Sequence, residues 1–402
     1  MGRKEKRVRT KGSPVSSIPR GRRDQVETHE TQLSIPDGTL QSFVERNVPP
    51  VVGVTYWFDP PASPAIQSAT IRLTGERLGR TGPPRAGDKF THEERIDGIV
   101  GGGGPVAVTV KVRDITPGDW KVDARLLPAN NSNSHTERNR PTSALNRAAW
   151  SWRRWRLTPA PATPVPTRLR PFVRPPAVIL GSWAALVVLG ILLALTVQGI
   201  VISAAELTVT HVLPISLLSL LGGIIGGKVW YVILHRRDGQ KSGWAVQGFV
   251  AGFALLAPPL LLVFRVPVGD FLDASTPGLM LGLGVGRLGC FFTGCCAGRP
   301  SASRWAIWSS NRRVGVRRIP TQIVESTLSF TLAFVALLLV LRFGSQHGTF
   351  FIAAIAIYTI IRQRVLLLRE EQRQSNRGST FVALLAVLIL VGDLATMIWT
   401  WR

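Results

Sequence analysis

The sequence predicts an all-α polytopic membrane protein with a soluble β-sandwich-like domain at its amino-terminal end. Hydrophobic residues make up 45% of its 402 residues although the formal net charge is +24, a combination that indicates two kinds of domain in one chain. From residue 177 onward, apolar runs alternate with short basic loops, as in proteins that cross a membrane several times. Residues 40 to 128 instead alternate apolar and polar side chains with period two, which is typical of half-buried strands.

Residues 1–35 are predicted to be a disordered basic arm, because they have little apolar surface to offset the entropy of ordering. Such an arm is either a solubilising tail or a segment attracted to anionic lipid or nucleic acid. No cleavable secretory signal is expected in MGRKEKRVRTKGSPVSSIPRGRR, since no apolar run follows its positive charges.

Residues 36–128 are predicted to form an immunoglobulin-like β-sandwich domain. VVGVTYWF and AIQSATIRL indicate two strands, and PP, GPP and GGGG indicate the breaks between strands. Two further strands each place alternate apolar side chains on one face: Val106, Val108, Val110 and Val112 in the first, and Trp120, Val122, Ala124 and Leu126 in the second. No catalytic constellation is visible in this domain, which is therefore either a module that binds a protein partner or an inert appendage.

Residues 129–176 are predicted to be an extended, semi-rigid linker that is basic and rich in tryptophan and proline. Its WSWRRWR segment interleaves indoles with guanidiniums, a composition suited to anionic headgroups. The alternative is a positive flank that only orients the next helix.

Residues 177–402 are predicted to form a seven-helix membrane domain. Each of seven apolar segments is long enough to cross about 30 Å of hydrocarbon as a helix. They span residues 177–202, 211–234, 245–264, 276–297, 324–343, 348–368 and 379–401. The fourth is the least hydrophobic, because it contains Arg287 and many glycines.

Arg287 marks a candidate functional site. A charged side chain in the bilayer costs roughly 2.5–3.5 kcal/mol on insertion scales, so it needs a partner or a water-filled cavity. Neighbouring glycines, including Gly286 and Gly289, allow another backbone or a lipid headgroup to approach closely. The structural alternative is tight helix packing, with Arg287 reaching the membrane interface.

The segment GLGVGRLGCFFTGCCAGR, followed by RRIPTQIVES, resembles the signature of the prolipoprotein diacylglyceryl transferase family. In that signature a Gly-Arg-x-Gly-Asn-Phe stretch precedes an Arg-x-Pro-(Ser/Thr)-Gln-x-x-Glu motif. LLGGIIGGKVWYVI, SGWAVQGFVAG and YTIIRQRVLLLRE resemble the second, third and penultimate helices of the family. The resemblance covers residues 177–402 and implies seven transmembrane helices of the diacylglyceryl transferase type.

The resemblance implies transfer of a diacylglyceryl group from phosphatidylglycerol to the lipobox cysteine of a prolipoprotein, with loss of glycerol phosphate and without a metal or organic cofactor. By motif position, Arg287 and Arg369 match two functional arginines that would stabilise the phosphate, and guanidinium forks suit that task. The other signature positions are expected to bind substrate or orient those arginines: Gly286, Gly289, Cys290, Gly298, Arg299, Gln322 and Glu325. Glu325 and Cys295 join the two arginines as candidate catalytic residues.

Four departures from the family pattern are visible. Cys290 stands where the family has an asparagine, and Cys295 where it has a glutamate. Gln247, followed by Gly248, occupies the place of a functional histidine, and a glutamine cannot act as a general base near pH 7. The first-helix tyrosine of the family has no counterpart.

All three cysteines of the chain lie in this signature, and three interpretations of them stay open. They are small packing residues, or Cys295 or Cys296 is a thiolate that accepts a proton or carries lipid. Metal binding ranks third, because no fourth ligand is visible, and no metal site is predicted.

The charge rule and the resemblance predict opposite orientations. Positive charge in short loops favours a cytoplasmic side for the amino terminus and for the loop after the fourth helix, whereas the resemblance implies that both face outward. The leading prediction is an enzyme of the bacterial inner membrane whose partners are phosphatidylglycerol, a prolipoprotein and anionic lipids, with no role for nucleic acid. The alternatives are a non-catalytic phospholipid-binding protein and a transferase with a different acceptor.

Overall fold

The computed structural model describes residues 50–61, 66–79, 81–83, 85, 87–127, 146–151, 154–159, 163–204, 209–236, 243–371 and 377–400. The predicted basic arm, and the start of the predicted linker, lie outside these residues. Within them, seven helices of 18–26 residues follow a mainly antiparallel β region. The helices are α1 (Ser182–Ala204), α2 (Val209–Leu234), α3 (Val246–Val263), α4 (Val268–Thr293), α5 (Thr321–Phe343), α6 (Thr349–Leu366) and α7 (Arg377–Thr400).

Each predicted apolar segment corresponds to one of these helices. All except α4 are long and apolar enough to cross a membrane by length and composition, so the chain is a multi-pass membrane protein. Glycines bring the helices close together: a Cβ at Gly226 of α2 would lie 2.4 Å from the carbonyl oxygen of Gly248 in α3. Such close approach is how small residues replace hydrophobic attraction between helices in lipid.

Helix α4 begins at residue 268, eight residues before the predicted start at 276. Its first turns contain Asp270 and Asp273, which lower the local hydropathy and hide the helix from an apolar-run criterion. The carboxylate of Asp273 is completely buried and accepts hydrogen bonds from the amides of Gln346, Gly348 and Phe351 at 2.8, 2.9 and 3.1 Å. A charge on α4 thus satisfies the open amides at the start of α6.

The amino-terminal region forms a sheet with the strand order β3-β2-β5-β8-β1-β4-β10-β9. Its strands are β1 (Pro50–Phe58), β2 (Ile66–Arg77), β3 (Lys89–Val100), β4 (Val106–Val112), β5 (Asp119–Leu127), β8 (Val165–Leu169), β9 (Ile307–Ser310) and β10 (Val314–Arg318). A separate hairpin pairs β6 (Asn146–Ser151) with β7 (Arg154–Pro159). One apolar cluster contains buried side chains from both halves of the sheet, including Tyr56, Ile71, Val110 and Trp120.

Strands β1, β2, β4 and β5 lie where the alternating pattern predicts them, and all four valines of β4 are buried. Three features differ from the expected organisation, and one of them is that the β6–β7 hairpin lies within the expected extended linker. Strand β3 has charged residues along much of its length and lies at the edge of the sheet, where such residues remain exposed. Strand β8 lies within the expected linker, and its two ends pair with β5 and β1, so this part of the chain completes the sheet.

The sheet continues into the loop between α4 and α5. Strand β10 of that loop pairs with β4, placing Val314 opposite Val108 and Gly315 opposite Ala107. The ring of Trp308 stacks on Trp57 with centroids 5.3 Å apart, and its indole donates to the carbonyl of Pro105 at 2.9 Å. The amino-terminal sheet is therefore fixed directly to the loop that carries the signature motif.

Candidate active site

The signature segment leaves α4 through a sharp turn at Gly294. This glycine has φ +71°, and a Cβ there would lie 2.6 Å from the carbonyl oxygen of Ser310. Only glycine adopts this conformation without strain. The turn brings Cys295 back over the last turn of α4, where its amide donates to the Cys290 carbonyl at 3.1 Å.

Residues 297–300 then run between two other extended stretches. The amide of Arg299 donates to the Leu368 carbonyl at 2.9 Å, and the amide of Glu370 donates to the Ala297 carbonyl at 3.0 Å. On the other side, the amide of Ile319 donates to the Arg299 carbonyl at 3.1 Å. A Cβ at Gly298 would lie 2.1 Å from the Ile319 carbonyl oxygen, so this close approach requires glycine. The signature, the start of α5 and the end of α6 are joined at one place.

The two predicted arginines meet on one carboxylate. Glu325 is completely buried, and its Oε1 lies 2.6 Å from Nη2 of Arg369. Its Oε2 lies 2.7 Å from Nε of Arg287, as an ion pair without hydrogen-bond geometry. The side chains of Arg287 and Arg369 are only 13% and 11% exposed, so the triad is a desolvated cluster with a net charge of +1.

The buried triad keeps unused donor capacity. Nε of Arg369 is buried and has no hydrogen-bond partner among the described residues. A buried guanidinium donor left in this state is costly unless a ligand occupies it. Gly286 lies next to Arg287, and a Cβ there would meet nothing within 4 Å in the described part of the chain. Unlike Gly289, whose Cβ would lie 3.2 Å from Trp183, Gly286 is not explained by helix packing.

The side chains of Gln322 and Thr321 bind the backbone of the two adjacent cysteines. The side-chain amide of Gln322 donates to the Cys295 carbonyl at 2.8 Å, and the hydroxyl of Thr321 donates to the Cys296 carbonyl at 3.1 Å. Cys296 has φ +56°, a left-handed conformation that non-glycine residues rarely adopt. Arg299 lies outside the triad and uses its Nε to donate to the Arg369 carbonyl at 3.2 Å. These residues position the site.

Two functional candidates were not predicted from the sequence. The Tyr358 hydroxyl accepts hydrogen bonds from Nη2 of Arg287 at 3.3 Å and from Nη1 of Arg362 at 3.2 Å. Tyr358 and Arg362 are four residues apart on α6, a spacing that places both on one helix face. That spacing was visible in YTIIRQR, but nothing in the sequence indicated that this face meets α4.

Arg318 and Glu370 were also missed. Arg318 is 1% exposed, donates to the Gly298 carbonyl at 3.1 Å and lies 2.9 Å from Oε2 of Glu370. Burial lowers the pKa of Arg318, and the neighbouring Glu370 carboxylate opposes that shift. Arg318 is the first residue of the Arg-x-Pro-(Ser/Thr)-Gln-x-x-Glu motif, and that motif position is the sequence signal that could have identified it. Its contacts hold together the signature, the start of α5 and the end of α6, so its role is structural and not ligand binding.

Gln247 lies on the exposed first turn of α3. It lines a cleft of about 850 Å3 together with Arg362, His235 and Trp244. The cleft is mainly apolar, and Arg362 of its lining is linked to Arg287 through the Tyr358 hydroxyl. Gly248 faces α2 and is a packing residue, because a Cβ there would lie 2.3 Å from the Cβ of Trp230.

A family model described as "Prolipoprotein diacylglyceryl transferase" matches residues 175–399. The chain belongs to the prolipoprotein diacylglyceryl transferase family. A protein of Clostridium tetani named phosphatidylglycerol--prolipoprotein diacylglyceryl transferase is 28% identical over 223 residues, covering 52% of this chain and 89% of that protein. A protein of Clostridium perfringens with the same name and the number 2 is 29% identical over 195 residues, covering 44% of this chain and 75% of that protein.

A further relative comes from Streptomyces coelicolor, whose diacylglyceryl transferase 2 is 27% identical over 195 residues, covering 44% of this chain and 62% of that protein. The family resemblance noted in the sequence is therefore confirmed. The family match includes all seven helices and both arginines of the triad, and it leaves the amino-terminal sheet up to residue 174 outside.

Proposed function

We propose that this protein transfers the diacylglyceryl group of phosphatidylglycerol to the lipobox cysteine of a prolipoprotein in a bacterial inner membrane. The observation that carries the proposal is that two buried arginines, at positions that match the family motifs, pair with Glu325, while one buried guanidinium N–H has no hydrogen-bond partner among the described residues. Relatives named as phosphatidylglycerol--prolipoprotein diacylglyceryl transferases support the same activity.

The arginines suit the chemistry of the leaving group. In the transfer, the acceptor thiol loses its proton to solvent and its sulfur forms a C–S bond with the glyceryl carbon as the C–O bond to phosphate breaks, and glycerol phosphate leaves with the electron pair. Charge accumulates on the phosphate oxygens, where preorganised guanidiniums in a desolvated site stabilise it most. The free Nε of Arg369 supplies a donor for the phosphate, and Gly286, the residue before Arg287, leaves open space on α4 that a ligand can enter.

The supporting residues divide into two groups. Glu325 holds both guanidiniums in a fixed orientation, and Gln322 and Arg299 bind the backbone that places them. Tyr358 links Arg287 to Arg362, which extends positive charge towards the apolar cleft beside Gln247. An apolar cleft with a cationic end matches the two parts of an anionic phospholipid.

The finer architecture belongs to the same proposal. We infer that α4 crosses the membrane as a seventh span, because Asp273 and Arg287 are both paired with groups of neighbouring helices. The shared apolar cluster of the two half-sheets supports a β-sandwich, for which we keep the range 36–128 between the arm at 1–35 and the linker at 129–176, with strand β8 of that linker added to its sheet. Residues 177–402 form the membrane domain, and a protein partner for the amino-terminal domain stays a prediction.

The test is transfer of label from diacyl-labelled phosphatidylglycerol to a lipobox peptide by the purified protein. Arg287→Ala and Arg369→Ala should each lose transfer, and Arg287→Lys should not restore it, because a lysine cannot form the bidentate fork. Arg342→Ala is the matched control, since Arg342 lies in the last turn of α5, far along the helix from Glu325, and contacts Phe343. Equal transfer by wild type and both alanine variants would refute the proposal.

Gln247 favours a second candidate, a phospholipid-binding protein without transferase activity, because the position of the family base holds a residue that cannot accept a proton near neutral pH. Binding of phosphatidylglycerol that depends on Arg287, with no transfer to any thiol, would establish it. A transferase with another acceptor that uses Cys295 covalently predicts that Cys295→Ser loses transfer and keeps lipid binding.

A further inference from the structure

The three cysteines converge at one point in the fold. Their sulfur atoms all lie within 4.8 Å of one another, and all three are free thiols. Cys290 comes from the last turn of α4, whereas Cys295 and Cys296 come from the turn that follows. With Zn–S bonds of about 2.3 Å, tetrahedral geometry separates two sulfur ligands by roughly 3.8 Å. Small adjustments bring these sulfurs to that spacing.

The local backbone conformation holds the three thiols together. Gly294 reverses the chain in a left-handed conformation, and Cys296 itself is held at φ +56°. The Cys295 and Cys296 carbonyls are both fixed by side chains of α5, from Gln322 and Thr321. A strained residue kept in place by neighbouring hydrogen bonds is typical of a functional site, and rigid support is what a ligand set needs.

The neighbouring charges favour a divalent cation. Cys290 lies three residues after Arg287 on α4, and the carbonyl of Ala297, next to Cys296, accepts a hydrogen bond from the amide of Glu370, next to Arg369, at 3.0 Å. With Glu325, Arg287 and Arg369 contribute a net charge of +1. Three thiolates around a divalent cation contribute −1, so the desolvated cluster becomes neutral, whereas a monovalent cation would leave it negative. Buried clusters without net charge avoid most of the desolvation cost of an ion.

We propose that Cys290, Cys295 and Cys296 form a three-thiolate site for a soft divalent cation such as Zn2+, with a fourth coordination position open to a thiol. Thiolate ligands select soft cations, and three protein ligands with one open position are the pattern of catalytic rather than structural zinc sites. Cys290 and Cys295 stand where the family signature has an asparagine and a glutamate, so the site depends on this chain's departures from the family pattern.

The open coordination position explains how the acceptor thiol is deprotonated without a basic side chain. This part of the inference rests on the proposed function. A thiol that coordinates Zn2+ loses its proton to bulk water, so the acceptor cysteine becomes a nucleophile without the help of Gln247. Its sulfur then exchanges the bond to the cation for the C–S bond, as the C–O bond to phosphate breaks and glycerol phosphate leaves. The product thioether is a weaker ligand and dissociates.

The test is a Cd2+ titration of the reduced, full-length protein in detergent, followed by thiolate-to-Cd2+ charge-transfer absorption. The chain contains only three cysteines, so every thiolate signal arises from this cluster. We expect saturation at one Cd2+ per chain, and each single variant (Cys290→Ser, Cys295→Ser, Cys296→Ser) should remove about one third of the signal. No signal from wild-type protein with an intact helical circular dichroism spectrum would overturn the proposal, whatever the variants do.

The open position is tested on the Cd2+-loaded protein with a lipobox peptide and its cysteine-to-serine counterpart. The cysteine peptide should raise the charge-transfer signal by about one third, and the serine peptide should not change it. No increase with the cysteine peptide would overturn the open position. The transfer assay separates the two ideas: cation binding without transfer contradicts only the proposed function, and transfer that survives complete removal of the cation contradicts only this inference.

Discussion

Replacing Glu325 with glutamine should destabilise the protein more than breaking an exposed ion pair does. Glu325 is completely buried between Arg287 and Arg369, at 2.7 and 2.6 Å, and both arginines are almost fully buried. A glutamine offers one acceptor oxygen and turns an NH2 group towards the other guanidinium. Removing one partner from a buried ionic cluster costs about 3–5 kcal/mol, because the remaining charges stay desolvated.

The measurement is the thermal unfolding midpoint in detergent, which a loss of this size lowers by roughly 6–20 °C for a domain of about 225 residues. The matched control is Glu93→Gln, which breaks a pair with Arg72 at the same 2.7 Å distance but with both side chains 48% exposed. Exposed pairs contribute about 0.2–1 kcal/mol, so the control should hardly shift the midpoint.

A second measurement on the same variant tests whether the arginines bind phosphate. Without the carboxylate, the two guanidiniums have a net charge of +2, and an anionic headgroup can take the place of Glu325. Phosphatidylglycerol should therefore raise the unfolding midpoint of the Glu325→Gln variant more than that of wild type. Equal stability of the variant and the control, or an equal effect of the lipid on variant and wild type, would refute this account of the triad.

Three other perturbations separate ligand contacts from structural ones. Gly286→Ala should leave the free energy of unfolding unchanged or raise it by up to about 1 kcal/mol, because alanine has the higher helix propensity. The KM for phosphatidylglycerol should rise, and an unchanged KM would place the lipid elsewhere. Asp273→Asn should cost about 1.5–3 kcal/mol of stability with unchanged kcat, because the carboxylate accepts backbone hydrogen bonds away from the triad, and a stability equal to wild type would contradict that role. Trp308→Ala removes the stacking on Trp57 and the hydrogen bond to Pro105, so amide exchange should accelerate in β10; unchanged exchange there would show that these contacts do not hold the sheet to the loop.

Local sequence patterns were sufficient to predict most of the helices and strands, but they did not predict which of these elements contact one another. The third apolar segment, predicted at residues 245–264, corresponds to α3 at Val246–Val263, because hydropathy alone determines a lipid-facing helix. The start of α4 was missed because its acidic side chain is satisfied by amides of residues 346–351, far along the chain. Arg287 and Arg369 were identified through family motifs, whereas the contact of Tyr358 with Arg287 depends on helix packing that one sequence does not reveal.

The arginines of the signature loop bear on the conflict between the charge rule and the family orientation. The rule concerns short loops whose positive charges are free to interact with the membrane and the insertion machinery. Here Arg313 pairs with Glu94 of the amino-terminal sheet, Arg318 is buried against Glu370, and Arg317 donates to the Ala306 carbonyl at 2.9 Å. These side chains are structural parts of a folded junction, so their charges say little about orientation. Because β10 pairs with β4, the sheet and the signature must also lie on the same side of the membrane. The loop's arginines are thus compatible with the outward orientation that the family resemblance implies, in which sheet and signature both face the exported acceptor.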